Sequence, residues 1–114
     1  MVTTVASKRN TVGLIKEKLT PVLEGYPVRK AILFGSFAKG NPTSDSDIDL
    51  YIDTSGKLKG LDFVGLLEML VVALERDIDL IDKSHIEENS MIMREIEKRG
   101  IVIYEKSENY SKDN

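Results

Sequence analysis

The sequence predicts an α+β protein, a small mixed β-sheet with helices packed on it. Apolar residues recur at three- and four-residue steps in some stretches and alternate strictly in others, so helices and strands interleave along the chain. A length of 114 residues with 41% apolar residues suits one domain with a single core. No internal repeat or low-complexity stretch interrupts it, so residues 1–105 are expected to form that domain and residues 106–114 a polar, frayed tail.

Val12, Ile15, Leu19, Val22 and Leu23 share one helical face and predict a first helix from about Lys8 to Glu24. Pro21 lacks a backbone donor and should kink or shorten it. Val28 to Phe34 reads as a buried strand stopped by Gly35. Gly35-Ser36 opens a turn, Phe37-Ala38-Lys39 suits one or two helical turns, and Asn41 to Ser44 is loop.

Asp47 to Asp53 alternates, with Asp47, Asp49, Tyr51 and Asp53 on one face and Ile48, Leu50 and Ile52 on the other. That pattern is a strand whose polar face is rich in carboxylates. Thr54 to Gly60 is loop, and Leu61 to Glu75 is a helix apolar nearly all round, which needs cover on more than one side. Arg76 to Asp82 alternates again and predicts a third strand. Glu87 to Arg99 follows as a helix, capped by Ser84 with Glu87 three residues on and ended by Gly100. Within it, Met91, Ile92, Met93 and Ile96 are expected in the core. Ile101 to Tyr104 is a short last strand.

Composition narrows the chemistry. With no cysteine, disulfides, thiolate zinc sites and cysteine nucleophiles are excluded. The one histidine, His85, excludes a multi-histidine metal site and is expected at the surface or in a cap. A net charge of −3, from 16 basic and 19 acidic residues, argues against a broad basic face for nucleic acid. Arg29, Lys30, Lys57 and Lys59 read as solvated charge. The longest apolar run, Met69 to Leu74, is too short to span a membrane, and no charged-then-apolar leader opens the sequence; a cytoplasmic protein is expected.

What remains is carboxylates and hydroxyls. Asp45, Asp47, Asp49 and Asp53 crowd one segment, with Asp77 and Asp79 on the third strand. Asp47 and Asp49 leave the same strand face and repel each other unless a cation lies between them, and hard oxygen ligands favour Mg²⁺ or Mn²⁺ over zinc. Either Asp77 or Asp79 can complete the cluster. An EF-hand is excluded, because Leu50 and Gly56 stand where that loop needs glycine and glutamate. Gly35 and Ser36 end a buried strand at a helical turn, a geometry that offers backbone N–H groups to a phosphate, with Lys39 close by. A phosphate cradle beside a carboxylate cluster makes a polyphosphate-plus-metal site.

Gly35-Ser36, ten intervening residues and Asp47-Ile48-Asp49, within GSFAKGNPTSDSDIDLYID, resemble the signature of the DNA polymerase β-like nucleotidyltransferase superfamily. The string is most similar to its minimal members, the MNT or MntA-type antitoxins. The likeness runs from the first helix through RDIDLID to EIEKRGIVIYE. It implies the polymerase β-like nucleotidyltransferase fold. It implies that Gly35, Ser36 and Lys39 hold the nucleotide phosphates, and that Asp47, Asp49 and Asp79 are the catalytic acids and bind two Mg²⁺ ions. Asp79, flanked by Ile78 and Leu80, fits the family pattern for the third acid, with Asp77 as its rival. Phe37 departs from the family's usual Arg or Tyr, and Lys39 replaces an arginine and lacks its bidentate fork.

The resemblance further implies transfer of AMP from ATP to a hydroxyl, most simply a tyrosine of a HEPN-domain toxin encoded alongside. In that reading the protein is the antitoxin in a hetero-oligomer, needs neither membrane nor nucleic acid, and leaves room for a homodimer. A chain this short lacks the second domain with which larger members hold their substrates, so a partner would supply half of the substrate site. Two readings compete: an antitoxin that neutralises its partner by complex formation alone, and a small-molecule nucleotidyltransferase.

Overall fold

The computed structural model describes residues 7–35 and 47–106. Helix α1 (Ser7–Glu24) leads into strand β1 (Lys30–Phe34). Strand β2 (Ile48–Asp53), helix α2 (Leu61–Leu74) and strand β3 (Ile78–Asp82) follow. A 3₁₀ turn (Lys83–His85), helix α3 (Met91–Arg99) and strand β4 (Ile101–Glu105) close the fold. The four strands form one mixed sheet in the order β3-β2-β1-β4. β1 lies antiparallel to both β2 and β4, while β2 and β3, joined through α2, run parallel. An α+β fold with a mixed sheet is what the interleaved periodicities predict.

Strand alternation sorts the side chains between two layers. Ala31, Leu33, Ile48, Leu50, Ile52, Leu80 and Ile103 point to one face and pack against Ile15, Leu19 and Leu23 of α1 and Leu66 and Leu70 of α2. The opposite face carries a smaller cluster, Phe34 and Tyr51 beneath Met93 and Ile96 of α3. Both faces are thus covered, but α3 is short and covers only part of its side. The carboxylates of β2 lie on this partly covered face.

Several boundaries differ from those the sequence predicts, each for a physical reason. Pro21 neither shortens nor ends α1, which continues to Glu24. Its ring is exposed near the helix end, where a lost bond is least costly. α3 begins at Met91 rather than Glu87, with Ser90 as its cap: the Ser90 hydroxyl accepts from the Met93 N–H at 3.2 Å. Ser84 caps no helix, because its hydroxyl and its N–H both donate to the Asp82 carboxylate, at 2.6 and 3.0 Å.

Of the four α3 residues expected in the core, Met93 and Ile96 are buried, whereas Met91 and Ile92 are exposed. Gly100 follows α3 with an ordinary φ of −67°, not the left-handed conformation of a C′ glycine. It is glycine for space, since a Cβ there would run into the Ile32 side chain and the Ile96 carbonyl. The expected helical turn at 37–39, the loop at 41–44 and the tail from 107 onward lie outside the described residues.

Candidate active site

β2 positions the acids. Its inner residues Ile48, Leu50 and Ile52 are fully buried and hold the strand at the centre of the sheet. Alternation then directs Asp49 to the α3 side, with Asp47 one step before the strand and exposed. In the parallel ladder Asp49 stands in register with Asp79 of β3, so their side chains leave the same face from adjacent strands. Across the other edge of β2, Asp49 pairs with Phe34, the last residue of β1.

Gly35 follows Phe34 with φ +76°, a left-handed conformation that glycine adopts without steric cost. The Asp49 carboxylate lies directly against it. A Cβ at position 35 would sit 2.9 Å from the Asp49 carboxyl carbon and closer still to Oδ2. The Gly turn and the Asp-X-Asp strand, distant in sequence, therefore meet in space, and the contact requires a residue without a side chain. Ser36 and Lys39 lie outside the described residues.

The electrostatics follow from this crowding. Burial pushes the Asp49 carboxyl above the usual carboxylate range, and the charges of Asp79, Asp47 and Glu95 push it further in the same direction. Glu95 belongs to α3 and was not singled out in the sequence. It comes near because Met93 and Ile96, on either side of it, bury against Phe34 and Tyr51. The available signal was its position beside the buried stripe of an amphipathic helix. Asp77 lies one residue before β3, so the register sets Asp79 rather than Asp77 beside Asp49.

Among the described residues, no three acidic or histidine side chains converge closely enough to form a ready cage for an ion. The donor set still fits a hard divalent cation. It consists of carboxylate oxygens alone, two of them on adjacent strands, in mutual repulsion that a cation would relieve.

The far end of β2 has a different character. Asp53 accepts from the Ser55 N–H at 3.0 Å and pairs with Arg29 at 3.5 Å and Lys83 at 4.0 Å. Asp82 is buried, yet its carboxylate accepts from Thr54 Oγ1 at 2.9 Å and from both donors of Ser84. Its own N–H donates to His85 Nδ1 at 3.2 Å, so His85 is an exposed capping residue. Burial acts to raise the Asp82 carboxyl, but the Ser84 and Thr54 hydrogen bonds and His85 outweigh it and hold it below the usual range.

A mixed sheet that sets paired acids beside a glycine turn at the end of the neighbouring strand is the architecture of a nucleotidyltransferase. Residues 17–109 match the family Polymerase beta, Nucleotidyltransferase, and the chain belongs to that family. A Methanocaldococcus jannaschii relative is 32% identical over 90 residues, which cover 79% of this chain and 91% of its own length. The protein adenylyltransferase MntA of Thermococcus cleftensis is 32% identical over 75 residues, covering 64% of this chain and 76% of its own.

Among solved structures, a toxin-antitoxin with AMP-PNP matches with a TM-score of 0.69 at 21% identity, over 84% of this chain and 77% of that one. The complex of a tri-AMPylated Shewanella oneidensis HEPN toxin with its MNT antitoxin matches with a TM-score of 0.64 at 20% identity, over 88% and 77%. At such identities these two likenesses establish the fold. No helix among the described residues is long and apolar enough to cross a membrane.

Proposed function

We propose that this nucleotidyltransferase is a Mg²⁺-dependent protein adenylyltransferase that moves AMP from ATP to a tyrosine hydroxyl of a HEPN-domain toxin and so serves as its antitoxin. The observation that carries the reading is the contact of Gly35 with Asp49, itself in register with Asp79. It sets Gly35, where the turn of the signature begins, against one of the acids of the signature, which supports a shared site for phosphate and cation. The relative named as a protein adenylyltransferase and the solved toxin-antitoxin complexes of the same fold support adenylyl transfer and a HEPN partner.

In this reading Asp47, Asp49 and Asp79 hold the cation, and Gly35, Ser36 and Lys39 hold the nucleotide phosphates. Mg²⁺ bound there offsets the negative charge of the triphosphate and acidifies the acceptor hydroxyl. The turn at Gly35 keeps the backbone close enough for its amides to donate to phosphate oxygens. Asp79, beside Asp49 and exposed, takes the hydroxyl proton. The acceptor oxygen then forms its bond to the α-phosphorus, the bond from that phosphorus to the β-phosphate oxygen breaks in line, and pyrophosphate leaves.

The test is incubation with ATP labelled on the α-phosphate, Mg²⁺ and the HEPN protein encoded alongside. Wild type is expected to label the partner, and Asp47→Asn to lower the rate at least a hundredfold. Equal labelling by both overturns the mechanism. An unlabelled partner that is nevertheless neutralised by Asp47→Asn identifies a non-catalytic antitoxin, and label on a small hydroxylated compound without any partner identifies the third reading.

A further inference from the structure

Among the described helices α2 is the most apolar, and the fold covers only one side of it. Leu66 and Leu70 are buried in the core, with Phe63, Leu67, Val71 and Leu74 partly buried around them. On the side turned away from the core, Leu61 is 86% exposed and Val72 69%, and Val64 and Met69 are nearly half exposed. Residues 47–60 and 75–106, which flank α2 in sequence, are all described and leave this face open.

Leu61, Val64, Glu68, Val72 and Glu75 follow one another at steps of three and four residues, so they line one face of the helix from end to end. That spacing is the seam along which one helix receives another. The charges on the seam identify its occupant. α2 has two charged residues, Asp62 and Glu68, both acidic, and Glu75 follows its last turn. All three are exposed, and among the described residues none of them has an ion-pair partner.

A second copy of α2 would bring apolar side chains and further acids but no cation, leaving glutamates desolvated without partners. The area is also too small for a dimer held by α2 alone. A strip about 20 Å long and 10 Å wide offers roughly 200 Å², against ~800 Å² per partner in a stable interface. A helix of another protein meets both demands if it sets apolar residues against Leu61, Val64 and Val72 and a lysine or arginine against Glu68 and Glu75. An acceptor protein supplies the remaining area where its hydroxyl reaches the acids. α2 and Asp49 lie on opposite faces of the sheet, so this contact would hold the acceptor without touching the reacting atoms.

We propose that the outer face of α2 is a docking surface for a basic amphipathic helix of the acceptor protein, an inference that rests on the reading that AMP goes to a partner protein. The full-length chain is assayed with the HEPN protein encoded alongside, by calorimetric titration and by transfer of labelled AMP across a range of partner concentrations. Leu61→Gln/Val72→Gln alters two exposed positions and is expected to keep the wild-type melting temperature within a few degrees. Its Kd and its KM for the partner should rise at least tenfold while kcat stays within about twofold. Glu68→Gln/Glu75→Gln should weaken binding as well and flatten its dependence on salt.

Unchanged Kd and KM in both variants, or a loss confined to kcat, overturns the inference and leaves the transfer reading intact. A wild-type dimer that Leu61→Gln/Val72→Gln converts to monomer assigns the face to a second copy and overturns the inference too. A wild-type chain that neither binds nor labels the partner overturns the transfer reading, and the docking surface with it.

Discussion

Asp82 shows what a single buried charge does in this fold. It is nearly inaccessible, and a carboxylate in that position would be costly without partners. Here Thr54, the Ser84 hydroxyl and the Ser84 N–H all donate to it, tying the end of β2, the end of β3 and the 3₁₀ turn together. The net effect is a carboxyl held below its ordinary range. A group whose folded pKa is depressed contributes stability that is present above its unfolded value, about 3.9, and is lost as pH falls through the folded value. Asp82→Asn leaves the shape but places an amide among three donors. We expect a loss of roughly 1–3 kcal/mol at neutral pH. The gap between wild type and variant should narrow as pH drops below about 4, which melting curves from pH 7 to pH 2.5 would reveal. A gap that stays constant with pH would assign the loss to packing instead of charge.

At the scale of elements, the strands were legible and one helix start was not. Period-two alternation at 47–53 and 77–82 marks its own buried face, so both strands follow from local sequence. Ser84 with Glu87 imitates a helix cap, but the pattern does not say that Asp82 will claim the Ser84 donors first. That competition is settled by the burial of Asp82, which is tertiary. The choice between Asp77 and Asp79 was open for a similar reason, since the parallel register of β2 with β3 depends on how α2 lays the strands together. That a glycine turn lies beside the acids was legible from the turn and strand chemistry, but the direct contact of Gly35 with Asp49 was not, because it depends on the antiparallel register of β1 with β2.

The same element carries a prediction. α3 is nine residues long, too short to be stable without packing and caps, and it presents Met93, Glu95 and Ile96 to the acid-bearing face. Ser90→Ala removes the acceptor of the Met93 N–H and is expected to destabilise the protein by about 1 kcal/mol. That corresponds to a melting point lower by roughly 4–8 °C. Hydrogen exchange at Met93 should accelerate in step, whereas Ser84→Ala should leave that amide unchanged, because Ser84 belongs to the Asp82 network.

At the scale of the whole molecule, the described residues set like charges together at one end of the sheet and opposite charges together at the other. Asp79, Asp47 and Glu95 all act on Asp49, whereas Arg29 and Lys83 pair with Asp53 and Lys30 pairs with Glu105. A net charge of −3 does not reveal this difference. The acidic end works against folding in the absence of a cation: burial and three like charges disfavour ionised Asp49, which is what its raised carboxyl expresses. An asparagine there is close in shape and permanently neutral. Asp49→Asn is therefore expected to raise the melting temperature in EDTA at pH 7, and only modestly, because the carboxyl is partly solvated and water screens its repulsions. The ordering should reverse with Mg²⁺ or Mn²⁺. A ligand that binds only the folded state stabilises it in proportion to RT ln(1 + [L]/Kd), and the variant has lost a carboxylate that would hold the ion. Melting both proteins across a series of divalent concentrations gives two curves that should cross, while nucleotidyl transfer is lost in the variant throughout. If Asp49→Asn is less stable at every concentration, including in EDTA, then Asp49 contributes to the fold and its repulsive surroundings are compensated by other contacts.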